Sequence, residues 1–251
     1  MKAEIEYENQ KFNIDLAQPL DISIPLRGNA QNVNAWYVSH PKIEPHRDGD
    51  FVGKVAEGAS VNFNDIWFNP HAHGTHTECV GHITEEFYSV NQHLNQYFFL
   101  ADLITVVPEL QDDDWVISKH ILEVALKGEN VKTLVIRTSP NERTKLTKQY
   151  SHSNPPYLLE EAIIFLLEKG VEHLLVDLPS VDKEKDEGAL SAHKAFWNYH
   201  GTLRKQATIT EFIYVPDAIE DGRYMLNLQM APFENDASPS RPVLYKIDGA
   251  K

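Results

Sequence analysis

Cysteine is almost absent: the 251-residue chain holds one, Cys79. A single thiol excludes an internal disulfide and any cysteine-rich zinc finger, and it fits a reducing compartment. Basic residues are outnumbered, 23 Lys and Arg against 37 Asp and Glu, for a formal charge of −14. Binding to phosphates takes Lys and Arg, so this balance argues against nucleic acid and against an anionic membrane as partner. No run approaches the ~20 apolar residues of a membrane span. The opening MKAEIEYENQKFNIDL also has no apolar signal-peptide core. A cytoplasmic location is therefore expected. Repeats, low-complexity tracts and separating linkers are missing too, so one domain over residues 1–251, large enough to bury a substantial core, is expected.

What is present alternates. NIDLAQPLDISIPL (13–26) has the alternation and β-branched content of a strand, broken by Pro19 and Pro25. Residues 27–65 turn polar, a long irregular segment of the kind that often carries function. Further on, LADLITVV (100–107), VKTLVIRT (131–138), VEHLLVDLP (171–179) and ATITEFIYV (207–215) read as strands. Between them, KHILEVALK reads as a helix capped by Ser118 and ended by Gly128. SNPPYLLEEAIIFLLEKG (153–170) reads as a helix with prolines in its first turn and Gly170 as its stop, and LSAHKAFWNY (190–199) as another. Strand–helix–strand alternation predicts an α/β domain with a mixed, partly parallel sheet and flanking helices.

The chemistry concentrates in NPHAHGTHTECVGHI (69–83), where His71, His73, His76 and His82 accompany Glu78 and Cys79. Metal ligation needs donors that converge within about 2.0–2.2 Å of one point. On an extended strand His76 and Glu78 share a face, and His82 keeps that parity. His71 and His73 do so only if the chain bulges, most easily at Gly74. A lone histidine is ordinarily a solvated loop residue. Four with a carboxylate favour a transition metal (zinc, manganese or iron) over Ca²⁺ or Mg²⁺, which prefer oxygen shells. Cys79 has the opposite parity from Glu78 and is expected to pack.

The cluster resembles the signature H-x-G-T-H-x-D-x-P-x-H of the cyclase family, which includes bacterial kynurenine formamidase and isatin hydrolase. Gly74, Thr75 and His76 fall on its G-T-H, Glu78 on its D and His82 on its last H. PPYLLEEAIIFLLEKGVEHLLVDLPSVD (155–182) is similar to the family's downstream stretch, DISIPL (21–26) to its opening and VIRT (135–138) to its central strand. His193 and Glu211 follow in the family's order. The likeness runs from Asp21 to about Asp217 and implies a swivelling β/β/α-like fold. It implies a two-metal centre, with zinc the first expectation and manganese or iron also possible. His76 would bind one ion with a histidine from the start of the motif, and His193 the other. Glu78 and Glu211 would contact both, and His82 would be the general acid/base. Without the resemblance, His193 beside Phe196 and Trp197 could be an ordinary core histidine. Glu211 on an apolar strand is costly without a partner.

Three departures stand out. Ala72 occupies the position of the family's first histidine, so an inserted residue leaves His71 or His73 as that ligand, with His71 preferred because NPH resembles the family's lead-in. Glu78 is one methylene longer than the family's Asp. CVGH lacks the family's proline. The implied reaction is metal-assisted hydrolysis of a C–N amide bond, with metal-activated water as nucleophile and His82 protonating the leaving amine. Trp36 and Tyr37, or Trp67 and Phe68, are candidates for an aryl substrate, or simply hydrophobic anchors of the long segment. The leading reading is a formamide hydrolase. A hydrolase of a cyclic amide, imide or lactone is the second, and a metal-binding protein without catalysis the third. A small-molecule substrate and a homo-oligomer, dimer or tetramer, are the expected partners.

Overall fold

The β-branched runs become strands of one sheet, and that sheet closes on itself. The computed structural model describes residues 1–7 and 9–248. A hairpin of β1 (Lys2–Tyr7) and β2 (Gln10–Asp15) leads into the two-residue β3 (Leu20–Asp21). Segment 13–26 is therefore not one strand. Proline lacks the amide hydrogen a ladder needs, and beyond β3 only a bridge between Ser23 and Ile213 remains. Segment 27–65 and its flank are less irregular than their composition suggests. β4 (Lys42–Pro45) pairs with a later strand, β5 (Arg47–Asp48) pairs with β6 (Phe51–Val52), and β7 (Asn64–Trp67) returns to β4.

The rest of the chain builds the barrel. In order come β8 (His76–Glu78), α1 (Val90–His93), β9 (Phe98–Val106), β10 (Glu109–Gln111) and β11 (Asp114–Ile117). Next are α2 (Lys119–Leu126), β12 (Thr133–Thr138), β13 (Tyr157–Leu158), α3 (Glu160–Glu168) and β14 (His173–Val176). α4 (Ser191–Phe196), β15 (Thr208–Glu211), β16 (Gly222–Met230) and β17 (Ala237–Asp248) complete it. β9, β12, β14 and β15 run parallel, as the strand–helix alternation predicts. β16 pairs antiparallel with β9 and β17. β8, antiparallel to both β15 and β17, closes the ring. The result is a single-domain α/β fold whose mixed, partly parallel sheet is barrel-like and carries few helices.

Burial explains the strands. Leu134, Val135, Ile136, Leu174, Leu175 and Val176 are all inaccessible, as expected of parallel strands covered on both faces. α2 and α3 pack against this sheet through Leu122, Leu126, Ala162, Ile163 and Leu166. α3 begins at Glu160, seven residues later than the periodicity suggests. Tyr157 and Leu158 pair with β11 instead, and prolines 155 and 156 disfavour helix in the residues before them. Gly170, at φ +87°, ends the helix as expected. Ser118 occupies the cap position of α2, but its hydroxyl makes no capping bond.

Candidate metal centre and active site

The closing strand carries the chemistry. On β8 the pleat sends His76 and Glu78 to one face and Thr77 to the other. Thr77 bonds the hydroxyls of Thr210 and Ser240 at 2.8 and 2.9 Å. Register sets His76 opposite Glu211 on β15 and Glu78 opposite Ala237 on β17. Thr75 pins the preceding loop by accepting the Ile24 amide at 2.7 Å and donating to the Phe212 carbonyl. Gly74 takes φ +150°, where a glycine is at ease. Its carbonyl, which can only accept, takes the Nδ1 proton of His76 at 3.0 Å. His76 Nε2 is left as a lone pair.

Side chains distant in sequence meet here. His193 Nε2 lies 3.1 Å from Glu78 Oε1 and 3.8 Å from Glu211 Oε1. Its Nδ1 is held by Asp182 Oδ2 at 2.5 Å. Asp182 also accepts the Ala192 and His193 amides, so one carboxylate ties down both the start of α4 and its imidazole. Glu211 accepts the Val181 amide at 3.0 Å and places Oε2 3.4 Å from His76 Nε2. His71 Nδ1 lies 3.1 Å from Glu78 Oε2, without hydrogen-bond alignment. His82 Nε2 lies 3.9 Å from the same oxygen. Both glutamates thus straddle the group, with one oxygen toward His76 and the other toward His193.

His73 is turned away from this group. Its Nδ1 accepts the Asn69 amide at 2.8 Å and its Nε2 donates to the Ser39 carbonyl at 3.0 Å, which engages both nitrogens. It lines a different cavity of about 430 Å³ with Ser23, Phe68 and Arg241, one that holds none of the six clustered side chains. Trp36 donates Nε1–H to the His71 carbonyl at 3.1 Å and so braces the loop. Trp67, 47% exposed, tilts over His73 at 5.7 Å rather than over the cluster. The parity argument reaches only as far as Glu78: His82 comes from a 3-10 turn over Val80–His82, not from a strand. Cys79 packs in the core, where burial pushes its thiol up to about 12.

Sequence reasoning passed over two carboxylates. Asp182 was within reach, since it ends the LPSVD run of the family-like stretch. Asp236, in the turn before β17, carried no local signal; its Oδ2 lies 2.8 Å from His71 Nε2 and 3.4 Å from His82 Nδ1. Burial penalises charge on His71, yet Asp236 and Glu78 outweigh it and raise that imidazole to about 10. Burial likewise opposes the Glu78 carboxylate, but His82, His193 and His71 hold it well below its ordinary range. Without an ion, cationic imidazoles balance a knot of carboxylates.

The donor set fits a divalent transition metal. Three groups have potential ligand atoms that all lie within 4.8 Å of one another: His71, His76 and Glu78; Glu78, His82 and His193; and His71, His82 and Asp236. His76 Nε2 and Glu78 Oε2 are buried acceptors with no hydrogen-bond partner. Such atoms are costly unless something satisfies them. Imidazole nitrogen mixed with carboxylate oxygen suits zinc, manganese or iron better than calcium or magnesium.

The Cyclase family model matches residues 14–183, well over half of the chain. This chain belongs to the cyclase family. A kynurenine formamidase of Bacillus cereus is 30% identical over 229 residues, covering 91% of this chain and 97% of that protein. One from Bacillus anthracis is also 30% identical over 229 residues, with the same coverage. Among solved structures, isatin hydrolase A from Ralstonia solanacearum aligns with TM-score 0.66 at 14% identity, over 91% of each chain. A "predicted metal-dependent hydrolase" from Bacillus stearothermophilus aligns with TM-score 0.64 at 17% identity, over 91% of this chain and 98% of its own. Both share the barrel-like fold. Among the described residues no helix is long and apolar enough to cross a membrane.

Proposed function

We propose that this cyclase-family chain is a metal-dependent amidohydrolase that opens the C–N bond of an aryl formamide. The reaction class, hydrolysis of a non-peptide C–N bond, goes with the kynurenine formamidases that it resembles along nearly its whole length. The observation that carries the reading is the meeting of His71, His76, Glu78, His193 and Glu211, within which His76 Nε2 and Glu78 Oε2 are buried acceptors without partners. His71 and His76 would hold one ion and His193 a second, with Glu78 and Glu211 shared between them; zinc is the proposed metal. A bound divalent ion supplies Lewis acidity, lowering the pKa of water and polarising a carbonyl.

The chain's own residues do the rest. The Gly74 carbonyl and the Asp182 carboxylate fix which nitrogen of His76 and His193 faces the centre, a constraint typical of metal-ligating histidines. His82 is 29% exposed on its side chain, whereas His76 and Glu78 are closed to solvent. His82 is thus a solvent-reached imidazole of the group, and we assign it the transfer of a proton to the leaving amine nitrogen. The substrate is a small molecule, and the working protein is proposed to be a cytoplasmic homo-oligomer.

Elemental analysis of the purified protein, followed by turnover of N-formyl arylamines and of cyclic amides and imides before and after chelation, tests the reading. Bound zinc and chelator-sensitive formamide hydrolysis are expected. Activity that survives complete metal removal would sink the mechanism, and turnover of cyclic amides alone would replace the substrate.

A further inference from the structure

Asp236 lies beyond residues 14–183, the stretch that the family model matches, yet it touches the cluster at two points. We propose that Asp236 is the positioning carboxylate of this centre, one side chain that sets the aim of both His71 and His82. The inference rests on the metal-centre reading above. Asp236 Oδ2 lies 2.8 Å from His71 Nε2 and 3.4 Å from His82 Nδ1. A carboxylate can only accept, so when His71 is neutral, as a metal ligand must be, Asp236 holds its ring proton on Nε2; at 3.4 Å, without hydrogen-bond alignment, it favours the Nδ1–H form of a neutral His82 by its charge. The lone pairs then sit on His71 Nδ1, 3.1 Å from Glu78 Oε2, and on His82 Nε2, 3.9 Å from that same oxygen. The two rings stack at 4.2 Å and 28°, so one carboxylate at their common edge serves both.

Asp236 is itself held in place. Its carbonyl accepts the Cys79 amide at 3.0 Å, and the next residue, Ala237, pairs in register with Glu78. The carboxylate is thus indexed to the strand that carries the ligands. The His82 turn closes against it, since a Cβ on Gly81 would come within 3.3 Å of the Asp236 Cβ. Val80 stands where the family pattern has its proline, so this turn lacks that source of stiffness. The contact from Asp236 supplies a constraint on His82 in its place.

Zinc titration and steady-state kinetics of D236N, D236A, H71A and the D236N/H71A double variant test the proposal. D236N keeps the shape of the side chain, so it carries the test if D236A does not fold. D236N should weaken zinc binding about 10- to 100-fold, the usual effect of losing a carboxylate that orients a ligating histidine. At saturating zinc it should lower kcat for an N-formyl arylamine and leave KM unchanged. In the H71A background, D236N should cost no further zinc affinity. Wild-type zinc affinity and kcat in D236N, or a change in melting temperature alone, would overturn the inference. Losses that add in the double variant would also overturn it, because Asp236 would then act independently of His71. A wild-type protein that binds no zinc would instead remove the functional reading and this inference with it.

Discussion

His173 offers a sharp test of how burial governs ionisation in this fold. It sits on β14 with its ring 4.3 Å from Phe99 and Nδ1 2.8 Å from the Thr208 hydroxyl, away from the metal centre. Burial, aided by the nearby Arg204 guanidinium, drops its pKa to about 4. The unfolded side chain titrates at about 6.5. A depressed histidine pKa means that the unfolded state binds the extra proton first. Its stabilising contribution is therefore complete above about pH 6.5 and is lost as the pH falls toward 4. Between about pH 7 and pH 4.5 the loss from this one group comes to about 2.5 kcal/mol, from 2.303RT times the difference in bound protons integrated over pH. The assay is urea unfolding of wild type and H173N at both pH values, with metal stripped from both so that metal loss does not enter. Asparagine carries no charge at either pH, and other acid-sensitive groups cancel in the comparison. The stability difference between the two pH values should shrink by about 2.5 kcal/mol in H173N. Equal differences in the two proteins would show that His173 ionises freely in the folded state and would refute the reasoning.

H71A should weaken zinc binding about 10- to 100-fold, whereas H73A should leave it unchanged and cost about 1–3 kcal/mol of stability for the unpartnered Asn69 and Ser39 groups. Calorimetric titration of both variants decides, and the reverse ranking would reassign the ligand. H82A should retain its full metal content while kcat falls about 10²- to 10⁴-fold, read by elemental analysis and steady-state kinetics. Loss of metal in H82A would make that histidine a ligand instead. G81A would put a Cβ 2.2 Å from the Tyr88 carbonyl oxygen. It should destabilise the protein by about 1–3 kcal/mol and, by shifting the His82 turn, lower kcat more than zinc affinity. An unchanged melting temperature would mean that the turn has room to spare.

Much of this architecture was legible because it is local. Apolar runs with β-branched residues marked β9, β12, β14 and β15, and amphipathic stretches marked α2, α3 and α4. The pairing of His76 with Glu78 followed from strand parity alone, since alternation along a strand needs no tertiary information. Parity failed one turn later, because the strand stops at Glu78 and a 3-10 turn carries His82 inward. The prolines before Tyr157 misled in the other direction: they read as the first turn of a helix, but the partner strand β11 claimed Tyr157 and Leu158 first.

The choice between His71 and His73 shows where local information stops. Both are histidines two residues apart, and nothing near them in the chain says which one faces inward. The Asn69 amide and the Ser39 carbonyl decide it by capturing both nitrogens of His73, and Asp236 decides it again by engaging His71. Asn69 is local, but Ser39 comes from the long 27–65 segment and Asp236 from the turn before β17, positions that no spacing rule connects to the motif. The sequence by itself determined the donor types, the strand that presents His76 and Glu78, and the family. Closure of the barrel through β8, between β15 and β17, decided the rest, because only that pairing brings Glu211 and Asp236 to the strand that carries His76 and Glu78.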